Sequence, residues 1–184
     1  TPIAKLLRKH DRRCVVMLRF VLLTLSLLPG LALADSDGES TPELVPFESC
    51  FMSAAKMYSI DPALLVAIAN VESGISMDAV NSNANGSIDY GVMQINSRWE
   101  GPLQEQGINF AEVKTSPCLN IHVGAWVLAS NFANTGIDWF AVGAYNAGYS
   151  PKERSRAIRR SYASKVYKSY LRVTARFDNL ESLM

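Results

Sequence analysis

After residue 47 the apolar positions fall in helix-length runs, and no stretch of strict alternation is long enough for a large sheet. Phe47 to Tyr58 reads as a first short helix carrying Cys50. Asp61-Pro62 has the form of a helix start, a capping acid followed by proline in the first turn. The run Ala63 to Glu72 continues it to Ser73-Gly74, where glycine can end the helix. Residues 78–90 are rich in Asn, Ser, Asp and Gly and predict a loop with room for a small hairpin. Ser116-Pro117 opens a helix to about Asn134, with Ile121, Ala125, Leu128 and Phe132 on one face. Asp138 caps a short apolar helix to Tyr145, stopped near Gly148. Ser150-Pro151-Lys152-Glu153 has the form of a capping box before a long final helix to about Arg176. The pattern predicts one domain over residues 47–176, α+β in class and predominantly α-helical, followed by a tail at 177–184.

The first 34 residues break this pattern. They hold Lys5, Arg8, Lys9, Arg12, Arg13 and Arg19 against one acid, Asp11, then an apolar run from Phe20 to Leu28, then Ala32-Leu33-Ala34. Basic start, short apolar core and small-residue site are the parts of a secretory signal peptide, with cleavage expected after Ala34. A membrane anchor would need roughly 20 apolar residues. Met17, just before the apolar run, is the expected natural start, which makes 1–16 an upstream extension. Residues 35–46 are acidic, carry Pro and Gly, and read as a flexible leader.

Export changes the charge and cysteine arithmetic. The whole chain carries +1, whereas residues 35–184 hold twelve bases and sixteen acids, a net −4. Cys14 leaves with the presequence, and the remaining pair, Cys50 and Cys118, reads as one disulfide closing a long loop, against the alternative of two buried thiols. An oxidising compartment is expected, the periplasm of a Gram-negative bacterium. With 48% hydrophobic and 19% charged residues, the composition excludes a disordered chain.

Two carboxyls stand out. Glu72 follows Ile68 by four residues and Leu65 by seven, so it shares a helix edge with apolar side chains and lies at the negative end of the helix dipole. Both effects disfavour its charged form and suit it to general acid work; the plain alternative is a solvated Glu in a last helical turn. Asp89, in Asn85-Gly86-Ser87-Ile88-Asp89-Tyr90-Gly91, lies where a hairpin would bring it back over that helix end. Two carboxyls in unlike settings are the equipment of glycoside cleavage, although an Asp in such a loop also serves simply as a turn residue.

Glu72-Ser73, Gly91-Val92-Met93-Gln94-Ile95-Asn96 and Ala144-Tyr145-Asn146-Ala147-Gly148 together resemble the three signature motifs of the soluble lytic transglycosylases, in the family's order, over roughly Cys50 to Lys168. The small size, the cysteine pair and the stretch from Ala144 to Lys152 leading into a basic tail are similar to the specialised members that accompany secretion, invasion and conjugation systems. The resemblance implies a lysozyme-like fold and cleavage of the N-acetylmuramic acid–N-acetylglucosamine β-1,4 bond of peptidoglycan glycan strands, with a 1,6-anhydro end and no cofactor. It implies Glu72 as the catalytic acid and base, Ser73 as its polar neighbour and a substrate contact, and Tyr145 with its hydroxyl against Glu72. It also implies Met93, Gln94 and Asn96 on the floor of the sugar cleft and Asn146 in contact with substrate. A partner in a secretion apparatus or pilus follows from the same likeness; a monomer is the expectation for the chain, although the sequence does not reveal the oligomeric state. Asp89 to Trp99 also resembles animal-type lysozymes, in which a Glu and an Asp spaced as Glu72 and Asp89 are here form the catalytic pair. Asp89 therefore either stabilises the oxocarbenium ion of a transglycosylase or serves a hydrolase. A wall-binding adaptor without catalysis is the competing class.

Other chemistry is thinly represented. His122 is the one histidine after residue 34, Cys50 and Cys118 lack zinc spacing, and neither a Gly-x-Ser-x-Gly elbow nor a phosphate-binding glycine loop occurs, so no metal site is expected. Trp99 and Tyr90 are candidates to stack on sugars, whereas Trp126 and Trp139, inside helices, are expected in the core. Lys152, Arg154, Arg156, Arg159, Arg160, Lys165, Lys168, Arg172 and Arg176 supply nine of the twelve bases after residue 34, against Glu153 and Asp178, with Tyr162, Tyr167 and Tyr170 as expected anchors. This helix is either a solvated face or an attractor of the anionic wall, lipid headgroups or an acidic protein. Nucleic acid does not suit an exported chain with an acidic remainder.

Overall fold

The computed structural model describes residues 45–181, with side chains through 177. The expected signal peptide and Met17 start, most of the leader and the end of the tail lie outside the described residues. Val45, assigned to the leader, is buried in the core.

Seven α-helices, one short 3-10 turn (Ser97–Trp99) and one small sheet make up the described fold: α1 (Glu48–Tyr58), α2 (Pro62–Glu72), β1 (Val80–Ser82), β2 (Ile88–Tyr90), β3 (Ile95–Asn96), α3 (Glu100–Glu105), α4 (Phe110–Val113), α5 (Pro117–Thr135), α6 (Trp139–Ala147) and α7 (Glu153–Glu181). The predominantly helical α+β class is what the apolar runs predict. β3, α3 and α4, each six residues or fewer, carry too little periodicity to be seen in the sequence.

The central element is α2. Leu65, Val66, Ala67, Ile68 and Ala69 are essentially inaccessible, so this helix is enclosed on nearly all sides, as its uninterrupted apolar run requires. It packs against α7 and α1, α5 lies along α1 and α6, and α7 also runs along α6. Its start is fixed as the sequence predicts: the Asp61 carboxylate accepts from the Ala63 amide at 2.8 Å. The other Asp61 oxygen accepts from the Tyr170 hydroxyl at 2.6 Å, which ties the start of α2 to α7.

At the far end of α2 the Ser73 hydroxyl donates to the Val92 carbonyl at 2.7 Å and accepts from the Ser76 amide at 3.0 Å, so the helix terminus is fastened to the sheet region. The sheet is antiparallel in the order β1-β2-β3, with Asn81 opposite Asp89 and Asp89 opposite Asn96. Gly91 makes the turn out of β2 with φ +74°, and a Cβ there would stand 2.6 Å from the Asn120 amide nitrogen and 2.7 Å from the end of Met77. Both the backbone angle and the space exclude a larger residue.

Cys50 and Cys118 form the expected disulfide, joining α1 to the start of α5 across 68 residues. The final helix differs in its details. It begins at Glu153 and runs to Glu181, past the expected end near Arg176. The capping box does not close: Ser150 Oγ accepts from the Lys152 amide at 3.4 Å, while the Glu153 carboxylate turns outward to Arg160 at 3.0 Å. Arg159 is buried rather than solvated, donating to the Gly148 and Ser150 carbonyls and so closing the α6–α7 corner. Trp139 is a correction to the expected core: it is 41% exposed at the start of α6, where Tyr167 and Tyr170 meet it edge-on and leave the rest of the ring uncovered. Trp126 is partly buried against the core, edge-on to Trp99. No described helix is long and apolar enough to cross a membrane.

Candidate active site

The last turn of α2, the sheet and the end of α6 converge on a cleft of about 530 Å³. Glu72 stands on one wall, and Asp89 and Asn96 stand on the facing sheet. Burial pushes the Glu72 carboxyl up to about 7, with the nearby Asp89 charge adding to the rise and a hydrogen bond from Tyr162 opposing it. That bond runs from the Tyr162 hydroxyl to Glu72 Oε1 at 2.5 Å.

Asp89 lives in the opposite environment. One carboxylate oxygen accepts from Asn96 Nδ2 at 2.6 Å and the other from Asn83 Nδ2 at 2.8 Å. The same two amides reach the Ser87 hydroxyl, which donates to Asn85 Oδ1 at 2.7 Å. A neutral amide cradle of this kind satisfies an ionised carboxylate without neutralising it. One cleft therefore holds a carboxyl that stays protonated close to neutrality and a second that is solvated by fixed dipoles, the division of labour that glycoside cleavage uses.

The motif residues separate into those that face the cleft and those that build it. Glu72, Asp89, Gln94, Asn96, Tyr145 and Asn146 line it; Ser73 and Met93 do not. Ser73 is corrected from a substrate contact to a fastener, since its hydroxyl is occupied by Val92 and Ser76. Met93 is corrected from cleft floor to core: it is fully buried and lies so close to Gly124 of α5 that a Cβ there would come within 2.7 Å. Gln94 lines the cleft but spends its amide locally. Its Nε2 donates to the Gly91 and Ala79 carbonyls and its Oε1 accepts from Asn81, which holds the left-handed backbone at φ 50°.

Tyr145 is the main correction. Its hydroxyl donates to the Met93 carbonyl at 3.0 Å, and the single proton it has to give is used there. The residue that holds Glu72 is Tyr162, on α7 and 90 positions away. Both hydroxyls are held far above their ordinary range by burial first and by the Glu72 charge second, so both remain donors. The sequence shows Tyr162 only as one of three tyrosines spaced along a basic helix. Asn120 is a further residue of the site that no motif marks. Fully buried on α5, it donates to the Tyr90 and Val113 carbonyls and accepts from the Met93 amide, pinning the turn between β2 and β3. An Asn on an otherwise apolar helix face is its sequence signal. Among the described residues no three His, Cys, Asp or Glu side chains are grouped to hold a metal ion.

Comparison with known proteins gives a consistent result. The family described as "Transglycosylase SLT domain" matches residues 49–168, which span both carboxyls and all three motifs. The protein IpgF of Shigella flexneri is 40% identical over 159 residues, 86% of this chain and 94% of its own length. The invasion protein IagB of Salmonella typhi is 42% identical over 121 residues, 66% of this chain and 74% of its own. Among solved structures, an inactive mutant of the lytic transglycosylase Slt of Pseudomonas aeruginosa superimposes with a TM-score of 0.57 at 19% identity. That match covers 72% of this chain and 24% of the larger protein, a likeness of fold.

Proposed function

The chain belongs to the transglycosylase SLT domain family and is a lytic transglycosylase, and from that premise we propose that it cuts the N-acetylmuramic acid–N-acetylglucosamine β-1,4 bond of peptidoglycan with formation of a 1,6-anhydro end. The observation that carries glycosidic cleavage is the pairing of a Glu72 carboxyl lifted to about 7 with an Asp89 held in an amide cradle across the same cleft, and the anhydro end rests on the family match. Glu72 gives its proton to the bridging oxygen as the bond from C1 breaks, and the N-acetylglucosamine leaves with a free 4-hydroxyl. Asp89 faces the positive charge that develops on the muramyl ring. The Glu72 carboxylate then takes the proton of the muramyl 6-hydroxyl as that oxygen closes on C1, which returns Glu72 to its starting state with no water consumed. Tyr162 holds the carboxyl in one orientation through both transfers.

Asp89 favours a second reading, in which water rather than the 6-hydroxyl attacks and the product has a reducing end. The family match supports the first. A role in opening the wall locally for an envelope-spanning secretion or invasion apparatus is supported by the likeness to a protein named for invasion. Action in the periplasm is supported by the disulfide and by the signal-like residues 1–34.

Purified cell walls incubated with the wild-type chain should release soluble fragments, and Glu72→Gln should lower that rate by roughly a thousandfold or more, as for loss of a general acid. The variant should remain folded. Because burial raises the Glu72 pKa, the unfolded carboxyl ionises at a lower pH than the native one, so the cost to the native state is absent below the ordinary carboxyl range, grows as pH rises from there and is complete above about pH 7. Glu72→Gln should therefore melt higher than wild type at pH 8 and not at pH 4. Undiminished fragment release by Glu72→Gln would overturn the assignment.

A further inference from the structure

Apart from the cleft, the start of α6 and the first half of α7 enclose a groove of about 470 Å³. Trp139 and Phe140 form one wall, and Arg156, Arg159, Arg160 and Ala163 form the other. The two helices come close because α6 carries Gly143, where a Cβ would stand 2.7 Å from the Arg159 carbonyl. Arg159 is held at this crossing. It is 5% exposed, and its guanidinium carbon lies 4.8 Å from the centre of the Phe140 ring.

A charge so far out of water has to be compensated. Arg159 Nη1 donates to the Gly148 and Ser150 carbonyls at 2.8 and 2.9 Å, which uses both of its protons. Nε and Nη2 donate to no described residue, and neither is sealed from the surface. No carboxylate lines the groove, and the ion pair found among the described residues, Arg160 with Glu153, leaves Arg159 and Arg156 without an acid. The free edge of the Arg159 guanidinium is therefore its Nε–Nη2 side, whose two parallel N–H groups match the two oxygens of one carboxylate.

The walls around that edge are apolar and uncovered. Phe140 is 44% exposed beside Tyr149, and Trp139 meets the exposed Tyr167 edge-on. Aromatic rings among arginines are the composition of protein-binding hot spots. A sugar matches less well: its hydroxyls need acceptors as well as donors, and the side-chain polar groups here are guanidiniums and the indole N–H, which only donate. A lipid surface suits a protruding face rather than a groove between two helices. The chain's own acidic stretch, Asp35 to Glu43, holds four acids but only Pro42 to place against the rings.

We propose that this groove docks an acidic segment of a partner protein, which sets a carboxylate on the free edge of Arg159 and an adjacent apolar side chain between Trp139, Phe140 and Ala163. Arg156 and Arg160 add attraction by charge, so binding weakens as salt rises. The site is separate from the carboxyl pair of the cleft, and its test reads binding without turnover, so failure of the cleavage reading would leave that test intact.

The probe is a short amphipathic helical peptide with Leu and Phe on one face flanked by Glu, beside the same peptide with Gln for every Glu. Trp139 lines the groove and supplies the fluorescence signal, and Trp139→Phe identifies it. The Glu peptide should bind, and the Gln peptide should bind about tenfold more weakly or worse. Arg156→Ala/Arg160→Ala should weaken the Glu peptide by about threefold to tenfold, with a urea midpoint close to wild type. Ala163→Glu places a carboxylate four residues after Arg159 on the same helix face and so supplies the missing partner from within the chain. It should weaken the Glu peptide at least about threefold more than the equally large Ala163→Gln, and melt higher than that variant. Equal binding of the two peptides, no binding of either, or equal effects of Glu and Gln at position 163 would overturn the site. Phosphatidylglycerol vesicles or a concentration-dependent dimer, held by wild type and lost in Arg156→Ala/Arg160→Ala while neither peptide binds, would assign the face to a membrane or to a second copy instead.

Discussion

Glu72 owes its chemistry to burial and to two neighbours that act in opposite directions. Burial in the last turn of an apolar helix and the Asp89 charge both hold its proton on, while the Tyr162 hydroxyl favours the ionised form. The balance near 7 leaves a carboxyl able to give a proton and take one back at the same pH. Tyr162→Phe removes the one influence that lowers the pKa, so the alkaline limb of the kcat profile, where Glu72 must be protonated, should move to higher pH. The rate should also fall by about tenfold to a hundredfold as the carboxyl loses its orientation. Tyr145→Phe removes a bond to a backbone carbonyl instead and should leave that limb closer to wild type. A pH–rate series on both variants checks the assignment, and a limb moved by Tyr145→Phe alone would reverse it. Glu72 itself was legible because its setting is local, an acid at a fixed offset from Ile68 and Leu65. Its partner was not, because no local pattern says which of three tyrosines on a helix 90 residues away faces it.

At the scale of elements, the helix starts and stops carried most of the information. Asp61, Ser116 and Asp138 each accept a backbone amide at the helix start the sequence assigns to them. Such caps are written within four residues, which is why they can be read. The capping box at Ser150 fails for a tertiary reason, since Arg159 draws the Ser150 carbonyl into the α6–α7 corner and Arg160 takes the Glu153 side chain. The sheet was visible only as a hairpin-prone loop, because its third strand is two residues long and is held by Asn120 and Gly91 rather than by its own pattern. Cysteine pairing was legible by arithmetic and is structural: the bridge closes a 68-residue loop between α1 and α5. Replacing both cysteines by alanine should cost about 4 kcal/mol by the loop-entropy argument, measured as a lower midpoint in urea. The disulfide lies outside the cleft lining, so activity of the protein that remains folded should persist.

The whole molecule explains why one helix had to be buried so completely. α2 presents Glu72 from a rigid core, the sheet presents Asp89 from a polar loop, and α7 crosses both α2 and α6 to supply the tyrosine that orients the acid. The acid therefore sits where the core ends and the cleft begins, with its partner carboxylate facing it across open space. This arrangement serves both a ring closure by the substrate's own hydroxyl and an attack by water, and the choice between them is the central claim. Mass spectrometry of the soluble fragments released from purified peptidoglycan by residues 35–184 decides it. Muramyl ends one water lighter than hydrolysed ones are the predicted result, with Glu72 returning to its protonated form in each turnover. Reducing muramyl ends would contradict it and make Asp89 the partner of a hydrolase.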